Sequence, residues 1–280
     1  MYPIFDTHAH LQDPDFAEDL DQVLENLLEA GVGRVVLPAS DLADSYRAAD
    51  LALQHPGVYC VLGCHPHEAK SWTAESRQEL ADLIQKTQAQ ARAQGREKVV
   101  VGIGEIGLDY HYDFSPRPIQ AQVYRDQIEL AAELGLPIIV HEREAFEDSY
   151  NILERAKADG LLDLPFACHC FSGSVESADR LLKLGAYLGF DGPLTFKKSR
   201  KPLGVLAAMP EDRWLLETDS PYLTPEPFRG KRNDPSKLTY IARKAAEIRQ
   251  QPYDSILEQN WHNACRFFGL NPNPSKDILA

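Results

Sequence analysis

No run among the 280 residues approaches the roughly 18 consecutive apolar residues that a membrane helix requires. The N-terminal stretch lacks a basic segment followed by an apolar one, so no secretory signal is expected. Cysteine is scarce and odd in number, with five residues (Cys60, Cys64, Cys168, Cys170 and Cys265) mostly in strand-like segments. That pattern argues against a disulfide framework and for a reduced, cytoplasmic protein. Basic residues are outnumbered, 29 against 42 acidic ones, giving a formal net charge of −13. That charge argues against a broad electrostatic grip on nucleic acid, but not against a small site where metals and a few local cations hold a phosphate. No Gly-x-Gly-x-x-Gly turn follows the first strand-like segment, which weakens a dinucleotide-binding reading. Low-complexity and linker-like stretches are also missing, and 1–280 is read as one domain.

What the chain does contain is a regular alternation. Short β-branched runs are expected as strands at Ile4-Phe5, Arg34 to Pro38, Val58 to Gly63, Val99 to Gly104, Pro137 to His141, Phe166 to His169, Ala186 to Phe190 and Arg213 to Glu217. Amphipathic helical patterns separate them, and two more, Ser236 to Arg249 and Tyr253 to Phe268, follow the last. Near-continuous apolar strands alternating with helices predict a parallel sheet covered by helices. Eight such repeats in a chain of this length predict an α/β fold, a TIM-type (β/α)8 barrel, regular or distorted.

Nearly every expected strand ends in ionisable residues. Strand one runs into Asp6-Thr7-His8-Ala9-His10, whose two histidines, at i and i+2, share a face. Later strands end in Cys64-His65-Pro66-His67, Glu105-Ile106-Gly107-Leu108-Asp109-Tyr110, His141-Glu142-Arg143, His169-Cys170 and Glu217-Thr218-Asp219. Six of the nine histidines lie in these motifs. In a barrel all strand C-termini converge on one face, so segments far apart in sequence become one cluster of His, Glu and Asp. Imidazoles and carboxylates bind divalent ions such as Zn²⁺, Mn²⁺ and Mg²⁺. The set is too large for one tetrahedral ion and suits two, about 3.5–4 Å apart, with a carboxylate between them. Asp219 could take a proton from an activated water. Cys168-His169-Cys170 also suggests zinc, but alternation is expected to point both cysteines away from the face His169 uses.

These segments resemble the TatD family of metal-dependent deoxyribonucleases, within the amidohydrolase-like metallohydrolases. The matching stretches are Phe5 to His10, Gly63 to His67, Gly102 to Tyr110, Pro137 to Arg143, His169 to Gly173, Glu217 to Leu223 and Arg229 to Pro235, in order over nearly the whole chain. The resemblance implies a TIM-type barrel, two divalent ions and metal ligation by His8, His10, Glu105, His141, His169 and Asp219. It implies Glu105 as the bridging carboxylate and His65 as a contact to the scissile phosphate. A 3'-5' exonuclease acting on single-stranded DNA is the implied activity. Two departures are Glu142, where the family often has a small residue, and a lengthened connection from Gln88 to Glu97. Glu142 is expected to bring negative charge near the substrate entrance.

Several residues keep two readings. His65 contacts substrate or orders its loop through Pro66, and His67 supports it. Arg143 suits phosphate oxygens with its planar fork, or pairs with Glu105 or Asp109. Asp109 and Tyr110 are read as structural. Arg229 and Lys231, just past the last strand, are expected to contact phosphate or DNA backbone. Lys197 to Lys201 does the same or is a solvated face. His55, His111 and His262 are read as ordinary. The rival activity is ester or amide hydrolysis with the same metals, as by a D-aminoacyl-tRNA deacylase. A metal-bound scaffold is a third reading. A monomer is expected rather than an obligate oligomer.

Overall fold

The structure, a computed structural model, describes residues 2–276 and 278–279. Its strands are β1 (Ile4–Asp6), β2 (Val32–Pro38), β3 (Val58–Leu62), β4 (Val100–Asp109), β5 (Ile138–Arg143), β6 (Phe166–Cys168), β7 (Tyr187–Phe190) and β8 (Trp214–Leu216). They pair in chain order and all in parallel, as a β/α-alternating chain must. The helices are α1 (Leu20–Glu29), α2 (Leu42–Gln54), α3 (Ala74–Ala93), α4 (Arg117–Leu134), α5 (Phe146–Ala158), α6 (Val175–Leu184), α7 (Lys201–Ala208), α8 (Leu238–Arg249) and α9 (Tyr253–Phe268). Their starts and stops are locally encoded. Asp41, Thr73 and Ser174 accept from the backbone N–H three residues on to cap α2, α3 and α6. The eight strands form a nearly closed TIM-type (β/α)8 barrel, as the alternation predicts. Among the described residues no helix is long and apolar enough to cross a membrane.

The seam between β1 and β8 is closed by single bonds rather than a ladder. Thr7 N donates to Leu216 O (3.2 Å), Asp219 N to His8 O (2.9 Å) and His10 N to Ser220 O (2.7 Å). The side chain of Asn260, on α9, completes it: Leu216 N donates to Asn260 Oδ1 and Asn260 Nδ2 donates to Phe5 O, both at 2.8 Å. Inward residues from every strand, such as Phe5, Val36, Tyr59, Val101, Ile139, Ala167, Tyr187 and Leu215, pack with Trp261 and Phe268 of α9. Because Lys98 Nζ, just before β4, reaches Phe268 O, α9 covers the N-terminal ends of the strands. The opposite end stays open for the site.

One strand differs from expectation. β4 does not stop at Gly104 but runs ten buried residues to Asp109. The continuation pairs Ile106 to Asp109 with Val140 to Arg143 after a register shift. Gly107 permits it, because a Cβ there would stand 1.9 Å from His141 O, and its φ of 147° lies outside what other residues adopt readily.

Candidate metal centre

At the open end the side chains of β1, β4, β5, β6 and β8 converge on Glu105. Its Oε1 lies 2.9 Å from His141 Nδ1, 3.1 Å from His169 Nε2 and 3.9 Å from His65 Nε2. Its Oε2 lies 3.3 Å from His8 Nε2. Asp219 Oδ1 is 3.4 Å from His10 Nε2 and 3.7 Å from His8 Nε2. The donor atoms fall into three overlapping groups, each within 4.8 Å: His8–Glu105–His169, His8–His10–Asp219 and His65–Glu105–His141. All six residues expected as ligands are therefore together, with His65 beside them. Both ring nitrogens of His8 are buried without a hydrogen-bond partner among the described residues. Such orphans in a nest of imidazoles and carboxylates fit a divalent cation and fit little else.

The electrostatics are those of an incompletely neutralised ligand set. Burial would raise Glu105, but charge at His169 and hydrogen bonds from His141 and His169 hold it well below the usual carboxylate range. Asp219 is held low in the same way, chiefly through His10. Burial and the neighbouring His169 lower His8, and burial with His141 lowers His65 further. Burial opposes protonation of His10, His141 and His169 too, but the facing carboxylates outweigh it and raise all three. Asp219 also sits at φ 55°, a left-handed conformation uncommon outside glycine, aspartate and asparagine. Its backbone N–H, bonded to His8 O, fixes it there.

Two acids that residue-by-residue reading did not assign to the site stand behind the histidines. Asp109 Oδ2 lies 3.1 Å from His141 Nε2 and 2.8 Å from His67 Nε2. Glu217 Oε1 lies 3.4 Å from His169 Nδ1 and accepts from Cys170 N at 2.6 Å. Each fixes its histidine's orientation with the other nitrogen facing Glu105. The available signal was proximity in sequence: Asp109 is four residues past Glu105 in the same strand and Glu217 directly follows β8, two before Asp219. Gly189 of β7 makes the space, since a Cβ there would stand 2.3 Å from the Glu217 carboxylate.

The cysteine expectation needs correction in half. Cys168 is buried, but Cys170 takes φ 47°, which breaks the alternation. Burial and the carboxylates of Asp191 and Asp219 push its thiol up, so it is a poor thiolate ligand. Among the described residues no cysteine joins the candidate metal groups, and all five are free.

The residues expected to meet substrate surround this centre. His65 Nδ1 accepts from His67 N at 3.2 Å, which orders the loop and leaves Nε2 towards Glu105, so both readings of His65 fit one geometry. Arg143 pairs with neither Glu105 nor Asp109; its guanidinium lies 4.8 Å over the Tyr112 ring. Glu142, half-buried, accepts from Ala145 N at 2.7 Å. Arg229 lies 3.9 Å over the ring of Phe196, which directly precedes Lys197 and Lys198. The two basic clusters thus form one exposed strip. Among the described residues no carboxylate pairs with Lys197, Lys198, Lys201, Arg229 or Lys231, whereas Arg232 is taken by Asp19 at 2.6 Å. A groove of about 480 Å³ between α4 and α5, lined by Arg125, Asp148 and Arg155, lies on the barrel flank away from this cluster.

The profile of the family described as "TatD related DNase" matches residues 5–269. The chain is 41% identical to the "Uncharacterized metal-dependent hydrolase YabD" of Bacillus subtilis, covering 96% of this chain and 100% of that protein. It is 34% identical to the "3'-5' ssDNA/RNA exonuclease TatD" of Erwinia tasmaniensis, covering 95% and 100%. The crystal structure of the TatD homologue YjjV from Escherichia coli superposes with a TM-score of 0.86 at 29% identity, covering 96% and 98%.

Proposed function

The chain belongs to the TatD-related DNase family and is a metal-dependent hydrolase, and from that premise we propose that it degrades DNA from the ends of single strands, as a 3'-5' exonuclease. The observation that carries the reading is the position of Glu105, which belongs to two candidate ion groups at once, His8–Glu105–His169 and His65–Glu105–His141. In this reading His8, His10, Glu105, His141, His169 and Asp219 would hold two divalent ions (Mg²⁺, Mn²⁺ or Zn²⁺). Bound ions supply a water that loses a proton near neutral pH and positive charge against phosphate oxygens.

The protein's own groups do the rest. Asp219, held ionised, accepts the proton of the attacking water as the water oxygen bonds to phosphorus and the opposite phosphorus–oxygen bond breaks. His65 Nε2 donates to a non-bridging oxygen that gains charge. Arg143, Arg229 and Lys231 bind phosphates on either side of the scissile one. The net charge of −13 disfavours long duplex, and the exposed strip is short, which suits a strand end. The similar protein from Erwinia carries the exonuclease name, which supports polarity by likeness. Residues 1–280 would act as one hydrolase domain, a monomer, and five free thiols suit the cytoplasm.

The test is hydrolysis of an end-labelled single-stranded oligonucleotide by metal-stripped protein resupplied with Mg²⁺, Mn²⁺ or Zn²⁺, beside Asp219→Asn. Laddering from one end that needs metal and is lost in the variant supports the proposal. Intact DNA with every ion overturns it and directs the assay to D-aminoacyl-tRNA.

A further inference from the structure

The loop after β4 presents two large aromatic rings that no part of the mechanism above uses. Tyr112 and Phe114 are 46% and 56% exposed, yet they are stacked on each other, with centroids 5.3 Å apart and planes 25° from parallel. Scattered exposed aromatics need no explanation, but a stacked pair at the rim of a reactive centre does. His67 meets both rings edge-on, at 5.4 and 4.8 Å. His67 in turn touches His65, whose ring is 4.3 Å away and whose Nε2 faces Glu105. Phe114 is thus two ring contacts from the residue that faces the central carboxylate.

The loop is built, not loose. Asp109 Oδ1 accepts from His111 N and Tyr112 N at 3.0 and 2.9 Å, while its other oxygen holds His67 and His141. The buried Ser115 hydroxyl donates to His67 O at 2.7 Å and accepts from Lys70 N at 3.1 Å. Lys70 Nζ donates to Phe114 O at 3.2 Å. One carboxylate therefore fixes both the aromatic pair and the histidine side of the metal centre. Arg143, 4.8 Å over Tyr112, places a cation beside the rings.

Position in the barrel completes the argument. β4 and β8 are four strands apart in an eight-stranded ring, so the aromatic loop and the Arg229–Lys231 strip lie across the centre from one another. The strip offers several cations that no carboxylate neutralises among the described residues, for successive phosphates; the aromatic side offers a flat apolar surface with one cation, the requirement of a single nucleotide. Base–aromatic stacking is indifferent to sequence because every base has a π-face.

Resting on the nuclease reading, we propose that Phe114, backed by Tyr112, is a stacking subsite for the base of the terminal nucleotide, while the strip across the centre holds the remaining backbone. The subsite takes an unpaired purine or pyrimidine and makes a free single-stranded terminus the preferred substrate.

The test compares two oligonucleotides of one sequence, ending in a normal nucleotide or in an abasic residue at the end that is degraded, with wild type, Phe114→Leu and Tyr112→Leu/Phe114→Leu. Release of the first residue is followed to give kcat/KM. Wild type should favour the base-bearing end by about 10- to 100-fold, the range of one stacked base. The variants should lose that preference, falling on the normal end while cleaving the abasic end as wild type does, which also shows that they are folded. Equal rates on both ends with wild type, or a preference kept by the double variant, overturns the subsite alone. No turnover of either substrate by wild type with any ion overturns the nuclease reading and the subsite together.

Discussion

His8 and His169 stack face to face, ring centroids 3.9 Å apart and 11° from parallel. Two imidazolium ions cannot share that arrangement cheaply, so at least one is neutral, and burial together with His169 selects His8. A neutral imidazole beside Glu105, without a hydrogen-bond partner among the described residues, suits a cation. The centre should therefore be stabilised by cations. Adding Mn²⁺ or Zn²⁺ to chelator-treated protein should raise Tm, and His8→Ala should reduce the rise to less than half; an unchanged rise removes His8 from the ligand set.

Metal binding should strengthen with pH. His10, His141 and His169 are raised above their ordinary value by facing carboxylates. The stability they lend the metal-free protein is complete below about pH 6.5, the unfolded value, and is lost as pH rises through their folded values. His8 and His65, lowered, act oppositely as pH falls below that same value. A cation must displace the protons of the raised three, so isothermal titration should give a lower Kd at pH 8 than at pH 6, with proton release into the buffer. A pH-independent Kd contradicts this.

Asp219→Asn should retain the fold, since asparagine tolerates the left-handed backbone that this position takes at φ 55°. Loss of the ionised oxygen should lower kcat by about 10²–10⁴-fold, the usual worth of a positioned proton acceptor. Activity within a few-fold of wild type, at an unchanged Tm, would show that the proton goes elsewhere.

Asp109→Asn should weaken metal binding by about 10- to 100-fold, because it loosens the hold on His141 without removing a donor that faces Glu105. The measurement is competition with a chromophoric chelator. Affinity equal to wild type would make Asp109 a residue of the loop only.

Arg229→Ala with Lys231→Ala should raise KM for single-stranded DNA and leave kcat nearly unchanged. The dependence of log K on log salt should flatten by about 0.7 for each phosphate contact removed. An unaltered slope would assign these cations to solvent.

Asn260→Ala should destabilise the protein by about 2–5 kcal/mol, because Leu216 N and Phe5 O are left buried and unbonded at the barrel seam. Urea denaturation of the metal-free protein measures it, and a loss below about 1 kcal/mol would mean that the seam closes without this side chain.

The sequence by itself determined the barrel and the cluster of candidate ligands at its open end. Apolar periodicity, capping residues and the glycines after helices are local properties, and alternation of strand with helix leaves few topologies once every strand must be buried. His8, His10, Glu105, His141, His169 and Asp219 were legible because each lies where a strand was expected to end, and parallel strands put their C-termini on one face. What only the tertiary structure decided depends on pairings between segments distant in the chain. Asp109 behind His141 and Glu217 behind His169 need the strand register, the Tyr112–Phe114 platform needs the loop folded on His67, and the merging of two basic clusters needs Arg229 laid on Phe196. The turn of Cys170 out of strand alternation is a backbone event at φ 47°, which residue type alone does not announce. The reason is common to all of them: local sequence sets which face a side chain takes, but only closure of the ring of strands sets what it faces.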